Sequence, residues 1–251
     1  MLEPQPLESF LQAERAALAD ARPAAHVALL EGPAISLGAA TDRSGALAAT
    51  AASMGLAVIR RSTGGEAVVH GAGDVAWSLV LPRHDPRVGH DFTRAYGRLG
   101  RAAAEAFRAM HVEATWVAPL AVHPSLCLLG PRGSVLVVDH RVIGGAAQHL
   151  TRSAILHHGI ITGALDRAPL RALFALTDGE IDRHLTSLAD LRPPVDARAF
   201  GDRLAVALDR FVAEGIPAPA RATDSTEGEP PATAGPPPLR PRPGSPPNRR
   251  S

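Results

Sequence analysis

The chain has 251 residues, of which 45% are apolar and 20% are charged, which is enough for one large domain or two small ones. Its formal net charge of +1 gives no strong global attraction to nucleic acid or to an anionic membrane. The sequence has no run of 18 apolar residues, so we expect no membrane span, and no nucleic acid or membrane among its partners.

The N-terminus, the numbers of cysteines and lysines, and the composition after residue 217 indicate where the protein acts and how it is organised. The N-terminus lacks the basic-then-apolar pattern of a secretory signal, and the single cysteine, Cys127, cannot form an intramolecular disulfide. We therefore expect a reducing, cytoplasmic location. All 26 basic residues are arginine, so the chain contains no lysine. The Pro-, Gly- and Ser-rich composition from about residue 217 predicts a domain over 1–216 and a disordered tail over 217–251.

The first half of the chain predicts helices and strands in mixed order. Residues 7–20 place Leu7, Phe10, Leu11 and Leu18 on one helical face, and Glu14 interrupts that apolar stripe. The further predicted elements are strands over 26–32 and 34–39, a helix over 43–54, strands over 56–60, 66–70 and 74–82, and a helix over 91–110.

The second half begins with a short predicted strand and an irregular stretch that contains Cys127. Mixed order and several hairpin-like strand pairs favour an α+β domain with a mixed β-sheet flanked by helices over a doubly wound parallel sheet. The predicted elements are a strand over 112–117, the irregular stretch 118–133, a hairpin over 134–147 around Asp139-His140, a strand over 154–163, helices within 166–186 and a final helix over 196–214.

Residues 60–74, RRSTGGEAVVHGAGD, carry the most informative local pattern. Two arginines precede Gly64-Gly65, a pair that can adopt φ > 0 and let the backbone approach a ligand closely. Exposed N–H groups beside guanidinium groups suit a phosphate or a carboxylate. The alternative is two ordinary hairpin turns with exposed arginines, because Gly-Gly is common in turns.

This stretch resembles the lipoate-protein ligase and octanoyltransferase superfamily, whose ligases carry RR-x-(S/T)-G-G-x-A-V-x-H here. His70-Gly71 is similar to the H-G step of the octanoyltransferase branch. Three later segments resemble the same superfamily: VVDHRVIGGAAQ (137–148), AILHHGIIT (154–162) and, more weakly, LTSLADL (185–191).

The resemblance implies a lipoate/biotin ligase-type catalytic domain with a pocket for a medium-chain acyl group and its carboxyl end. We expect no cofactor, and no metal site either, because one cysteine and scattered histidines lack ligand spacing. The residues that the resemblance implies as substrate-binding are Arg60, Arg61, Thr63, Gly64, Gly65, Ala67, Val68, His70, Gly145, Ala146, Ala147, His158 and Gly159.

Cys127 has two interpretations. Leu126, Leu128 and Leu129 surround it, which favours an inert, buried thiol. One octanoyltransferase subfamily places its nucleophile at this position, which implies transfer through a thioester. Octanoyl would move from acyl carrier protein to Cys127 and then to a lysine of a lipoyl domain.

The hairpin departs from the family pattern at one position. Where the resemblance implies a lysine that serves as the acid/base partner of the thiol, this chain has Val142. The candidate replacements are Arg141, which supplies charge but hardly a base, and His123, His140, His157 and His158. His157 and His158 point to opposite faces of one strand, and the family's H-G step favours His158 as the one that faces the pocket.

The valine also leaves other functions open. One alternative is a catalytically impaired member that binds an acyl group or a partner protein. Another is a ligase-like or amide-exchange enzyme that needs a separate partner chain.

Overall fold

A seven-stranded mixed sheet forms the centre of the part of the chain that the structure describes. The structure is a computed structural model, and it describes residues 2–41, 45–88, 96–97, 99–131 and 133–214. The strands are β1 (Pro4–Gln5), β2 (Ala24–Leu30), β3 (Ala34–Leu37), β4 (Ala57–Arg60), β5 (Val68–His70), β6 (Val75–Pro82), β7 (Thr115–Val117), β8 (Ser134–Val138), β9 (Arg141–Leu150) and β10 (Ala154–Ile161). The helices are α1 (Leu7–Asp20), α2 (Ala46–Ser53), α3 (Arg101–Arg108), α4 (Arg167–Phe174), α5 (Asp178–His184) and α6 (Ala197–Glu214).

The strand order of the large sheet is β1-β2-β6-β10-β9-β8-β7, and every neighbouring pair except β1–β2 is antiparallel. A separate sheet has the order β4-β3-β5, with β3 parallel to β4 and antiparallel to β5. Antiparallel pairs combined with two parallel ones confirm the predicted α+β class with a mixed sheet and flanking helices.

The large sheet is buried on both faces. Successive side chains of a strand point to opposite faces, so β6 and β10 contribute to two apolar clusters. On the first face, Trp77 packs with Phe107 of α3 and Phe200 of α6. On the second face, Ile160 packs with Phe10 of α1. The helix α1 therefore covers the second face, where the cleft described below opens.

Most predicted elements are present with shifted ends. The hairpin turn is confirmed, because Asp139 and His140 have φ of 47° and 64°, as a two-residue type I′ turn requires. The region 166–186 contains two helices, since Ala175 adopts a left-handed conformation that ends α4. Of the helix predicted over 91–110, the structure confirms residues 101–108, and residues 91–95 lie outside the described residues.

The strand predicted over 66–70 begins two residues late, at Val68. The reason is that Ala67 pairs with Leu126 through an isolated bridge, and the carbonyl of Glu66 accepts a hydrogen bond from Arg61. This pairing draws the irregular loop that contains Cys127 against the Gly64-Gly65 turn, and it positions the site.

The helix α6 has buried residues at intervals of four, Phe200, Leu204 and Leu208, and its charged residues, such as Asp202, Arg203 and Asp209, lie between these or just beyond them. It packs against β2 and α3 as an amphipathic helix. No helix in the described ranges has the length and the apolar character that crossing a membrane requires.

Candidate active site

A cleft with an empty volume of about 560 Å³ opens between α1 and the second face of the sheet. Leu7, Phe10 and Leu11 of α1 and Ile160 of β10 give it an apolar wall. An apolar concavity with a few polar groups is the common form of a small-molecule site. The polar side chains that line it are Ser36, Arg61, His70, Cys127, Ser134 and His158.

Cys127 begins a short 3-10 turn, Cys127–Leu129, at the end of the irregular loop. Its N–H donates to the carbonyl of Ala67 over 2.8 Å, and Ala67 N–H donates to the carbonyl of Ser125 over 3.2 Å. Leu126 and Leu129 are buried on either side and anchor the turn. The thiol is half-buried and lines the cleft, so backbone pairing and two buried neighbours fix its position.

Arg61 is buried, with 4% of its surface exposed, and its guanidinium is held by hydrogen bonds on every side. Burial lowers the pKa of Arg61, and its interaction with Cys127 opposes that shift. The guanidinium donates to Oγ1 of Thr63 over 3.1 Å, to the carbonyl and Oγ of Ser36 over 3.0 and 3.2 Å, to the carbonyl of Gly64 over 2.8 Å and to the carbonyl of Glu66 over 2.7 Å.

The same guanidinium faces the thiol. Its Nη2 lies 3.8 Å from Sγ of Cys127. A cation at this distance interacts favourably with a thiolate, which is the nucleophilic form of cysteine. Arg61 therefore supplies positive charge beside the thiol. Val142, which stands where the resemblance implies a lysine, supplies none: it is 1% exposed and packs in an apolar cluster with Leu126, Leu129 and Leu185.

Gly65 explains why the turn beside the thiol carries a Gly pair. Its φ is 92°, in the left-handed region, and a Cβ there would lie 2.9 Å from both Nη2 of Arg61 and Sγ of Cys127. Only glycine leaves room for the guanidinium and the thiol to meet. Gly64 has no neighbouring atom within 4 Å of the equivalent position.

A buried chain of hydrogen bonds runs from Arg61 to the first helix. Oγ1 of Thr63 lies 2.7 Å from Nε2 of His158, and Nδ1 of His158 lies 2.6 Å from Oε2 of Glu14. Glu14 and Thr63 are fully buried, and His158 is 7% exposed. The glutamate that interrupts the apolar stripe of α1 thus points inward, toward the polar part of the site.

A second, shorter branch leads from Arg61 through Ser36 to His70. Oγ of Ser36 accepts from Arg61 and lies 2.8 Å from Nε2 of His70, to which it can donate. Burial, together with the nearby Arg61 and His158, lowers the pKa of His70 to about 3. His70 is therefore a neutral acceptor at physiological pH, and it also lines the cleft.

The structure brings most of the sequence-predicted residues to this cleft. Thr63, Gly64, Gly65 and Ala67 lie behind the residues that line the cleft, and the contacts described above hold those residues in place. Those that line the cleft are Arg61, Val68, His70, Cys127, Gly145, Ala146, Ala147, His158 and Gly159.

Arg60, predicted as substrate-binding, and three of the histidines considered as partners of the thiol lie elsewhere. Arg60 does not line the cleft, because its guanidinium donates to the carbonyls of Ala39 and Thr41. His123 bonds the carbonyl of Phe174, His140 is exposed in the hairpin turn, and His157 lies on the first face of the sheet. Among the residues that the structure describes, no cluster of three His, Cys, Asp or Glu side chains could hold a metal ion.

Two functional contacts were not predicted from the sequence. The contact of Arg61 with Cys127 joins residues 66 apart, and the contact of Glu14 with His158 joins residues 144 apart. The one available signal was Glu14 itself, a carboxylate in the middle of an apolar stripe.

Comparisons with known proteins place this geometry in context. The profile of the lipoyl protein ligase A/B catalytic domain matches residues 6–209. The octanoyltransferase LipM of Geobacillus kaustophilus is 30% identical over 140 residues, which are 52% of this chain and 50% of that protein. The LipM of an Exiguobacterium species is 31% identical over 132 residues, 49% of this chain and 48% of that protein. The chain thus spans about half the length of these curated relatives.

Solved structures share the fold at lower identity. Lipoate-protein ligase A bound with ATP superposes with a TM-score of 0.64 at 19% identity, over 85% of this chain and 83% of that one. The bi-partite lipoate protein ligase of Thermoplasma acidophilum, solved in a study of that ligase and its E2 lipoyl domain, gives 0.60 at 20% identity, over 85% and 81%. At these identities the likeness establishes the fold.

Proposed function

The chain belongs to the lipoyl protein ligase A/B catalytic-domain family, and on that premise we propose that it transfers an octanoyl or lipoyl group through a thioester on Cys127. One observation carries the proposal: the thiol lines an apolar cleft and lies 3.8 Å from a buried guanidinium. The 30% identity to LipM octanoyltransferases supports the same chemistry.

The proposed reaction has two steps. In the first, the Cys127 thiolate attacks the carbonyl of an acyl thioester, a new C–S bond forms as the C–S bond to the carrier breaks, and the departing carrier thiolate takes up the proton that the Cys127 thiol released to solvent. In the second, the neutral amine of a lysine attacks the acyl-enzyme, an amide forms as the C–S bond to Cys127 breaks, and the proton lost by the amine goes to the released Cys127 thiolate. Covalent catalysis of this kind divides one difficult transfer into two easier ones.

Arg61 takes over the electrostatic part of the role that the family resemblance assigns to a lysine. Because a guanidinium stays charged at physiological pH, Arg61 stabilises the thiolate without accepting its proton. Val142 is no obstacle in this scheme, since its side chain packs in the apolar cluster behind the turn.

The cleft suits a flexible apolar chain. Leu7, Phe10 and Leu11 face Ala76 and Ile160 across it, so an acyl chain would lie between α1 and the sheet. Burying each methylene of such a chain stabilises the complex by about 0.8 kcal/mol.

The proposed donor is octanoyl-acyl carrier protein and the proposed acceptor is a lipoyl-domain protein. The names of the LipM relatives support the acyl group, and the E2 lipoyl domain studied with the archaeal ligase supports the acceptor. None of the 251 residues is lysine, so no side chain among them can be the accepting lysine. We also propose that residues 1–216 are the catalytic domain, that 217–251 are a flexible tail, and that the protein acts in the cytoplasm.

The test is the intact mass of the full chain after incubation with octanoyl-acyl carrier protein. We expect one octanoyl group per chain, released by neutral hydroxylamine as a thioester is, and none in Cys127→Ala. A wild-type protein that acquires no octanoyl group, or a Cys127→Ala variant that still acquires one, would contradict the proposal.

A further inference from the structure

Glu14 is a buried carboxylate that the two-step reaction above does not use. It is 0% exposed, on a helix whose other inward residues are apolar. Burying a carboxylate is costly unless it is paired, and its partner is the imidazole of His158, 2.6 Å from Oε2. Its second oxygen, Oε1, has no hydrogen-bond partner among the described residues. Because burying this carboxylate is costly, we expect Glu14 to have a role in the site.

The direction of each hydrogen bond in the chain follows from its donors. Nε of Arg61 can only donate, so Oγ1 of Thr63 accepts from it. The hydroxyl proton of Thr63 is then free to go to Nε2 of His158, 2.7 Å away. The carboxylate of Glu14 can only accept, so Nδ1 of His158 carries the proton that it donates to Glu14, and Nε2 of the neutral imidazole is left to accept from Thr63.

We propose that Glu14 is a positioning residue for the proposed thiol chemistry: by holding the proton of His158 on Nδ1, it leaves Arg61 as the one donor to Oγ1 of Thr63 in this chain of hydrogen bonds and so helps to aim the guanidinium at Cys127. This inference rests on the proposed function only for its catalytic meaning. The geometric claim concerns Arg61 and the thiol, and it can be measured without any acyl donor.

Loss of the carboxylate has a defined consequence in this chain. With glutamine at position 14, the His158 proton can move to Nε2, which then donates to Oγ1 of Thr63. That oxygen then accepts from both Nε2 and Nε of Arg61, and the Thr63 hydroxyl proton loses its acceptor, so the bond that orients the guanidinium toward Sγ is weakened. The thiolate is then stabilised less, and the thiol becomes reactive only at higher pH.

The sign of the effect separates this role from plain electrostatics. If Glu14 acted only as a nearby negative charge, its removal would favour the thiolate and move thiol reactivity to lower pH. Positioning predicts the opposite direction. Other titratable groups also lie in this part of the site. They are the same residues in the wild type and in the position-14 variant: Arg61, Glu66, His70, Tyr96 and His158.

The experiment measures the rate of Cys127 alkylation by iodoacetamide against pH, which the single cysteine makes specific. We expect Glu14→Gln to move the profile upward by about half a pH unit or more, about threefold in rate at neutral pH. Glu8→Gln, an exposed residue of the same helix, is the matched control. A Glu14→Gln profile that coincides with the wild type, or that moves to lower pH, overturns the proposal.

Thr63→Val provides a second route if Glu14→Gln fails to fold. Valine keeps the shape of threonine and removes the hydroxyl that links Arg61 to His158, so the profile should move in the same direction. Adding Glu14→Gln to Thr63→Val should then move the profile no further upward, since the positioning effect of Glu14 passes through that hydroxyl. Additive shifts in the double variant contradict the proposal.

Failure of this inference is distinguishable from failure of the proposed function. If the wild type forms no octanoyl adduct while Glu14→Gln still moves the alkylation profile upward, the acyl chemistry is wrong and the positioning role stands. If the adduct forms and the profile does not move, the positioning role alone is wrong.

Discussion

His157 and His158 are neighbours on β10, and their surroundings differ because the strand points them to opposite faces of the sheet. His157 is fully buried against Trp77 and Tyr96, with ring centroids 5.1 and 5.2 Å away. Neither of its ring nitrogens has a hydrogen-bond partner among the described residues. His158 lines the cleft, and both of its nitrogens are hydrogen-bonded.

The difference shows how the same residue type takes two roles in one strand. Burial, with a smaller contribution from the neighbouring His158, lowers the pKa of His157 to about 3, so His157 is a neutral aromatic residue that fills the core. His158 instead joins a carboxylate to a hydroxyl and, through it, to Arg61. The surroundings of His158 are therefore held by polar contacts that depend on one another. The surroundings of His157 are held by the packing of apolar and aromatic groups.

The largest expected effect lies at the turn beside the thiol, where the backbone of Gly65 approaches Cys127 and Arg61 closely. Gly65→Ala strains a backbone with φ of 92° and places a methyl 2.9 Å from both Sγ of Cys127 and Nη2 of Arg61. We expect acyl transfer to fall by about 100-fold or more, since it depends on that alignment. Gly64→Ala, with nothing within 4 Å, should lose much less, and equal losses in the two variants would show that packing at the thiol is not the cause.

Replacing each histidine by phenylalanine tests the comparison itself. His158→Phe leaves Glu14 buried without its partner and should lower the free energy of unfolding by about 3 kcal/mol or more. His157→Phe keeps the aromatic shape and removes two unbonded nitrogens, so it should change stability by less than about 1 kcal/mol or raise it. Urea unfolding at pH 7.5 measures both, and similar losses in both variants would refute the distinction.

The pH dependence of the free energy of unfolding tests the role of His157 on the first face of the sheet. The folded-state pKa of His157, about 3, is below the unfolded value of about 6.5, so the stability linked to it is present above pH 6.5 and is lost as pH falls toward 3. His157→Phe should make that acid limb shallower, by up to about 1.4 kcal/mol per pH unit. His84→Phe, at an exposed position, is the control. An acid limb unchanged by His157→Phe would mean that His157 is not held neutral.

The smallest effect concerns a second adjacent pair, Arg60 and Arg61. Arg60 donates to loop carbonyls and does not line the cleft, so Arg60→Met should cost about 1 kcal/mol in stability and reduce transfer by less than about tenfold. A loss of transfer as large as that of Gly65→Ala would contradict this and would support the sequence-based prediction that Arg60 binds substrate.

The sequence predicts the parts of the site that depend on local pattern. Period-two alternation on β10 and the family's H-G step favour His158 over His157, and the Gly pair indicates a close approach at Gly65. The hairpin turn follows from Asp139-His140, whose positive φ values suit a two-residue connection. In each case the pattern that supports the prediction lies within a few consecutive residues of the sequence.

What the sequence leaves open depends on contacts between distant segments. The partner of the thiol is Arg61 rather than one of the histidines, because Ala67 pairs with Leu126 and brings the two loops together. Glu14 reaches His158 only because α1 packs across the sheet. The shortened strand at Val68 has the same origin. No local periodicity encodes such pairings.

The most direct test of the central claim is a single-turnover transfer from the isolated octanoyl-Cys127 protein to a lipoyl domain, followed by intact mass of both proteins. We predict that the octanoyl group leaves Cys127 and appears on one lysine of the lipoyl domain at the same rate. An acyl-enzyme that keeps its octanoyl group in the presence of the lipoyl domain, or loses it only to water, would contradict that claim.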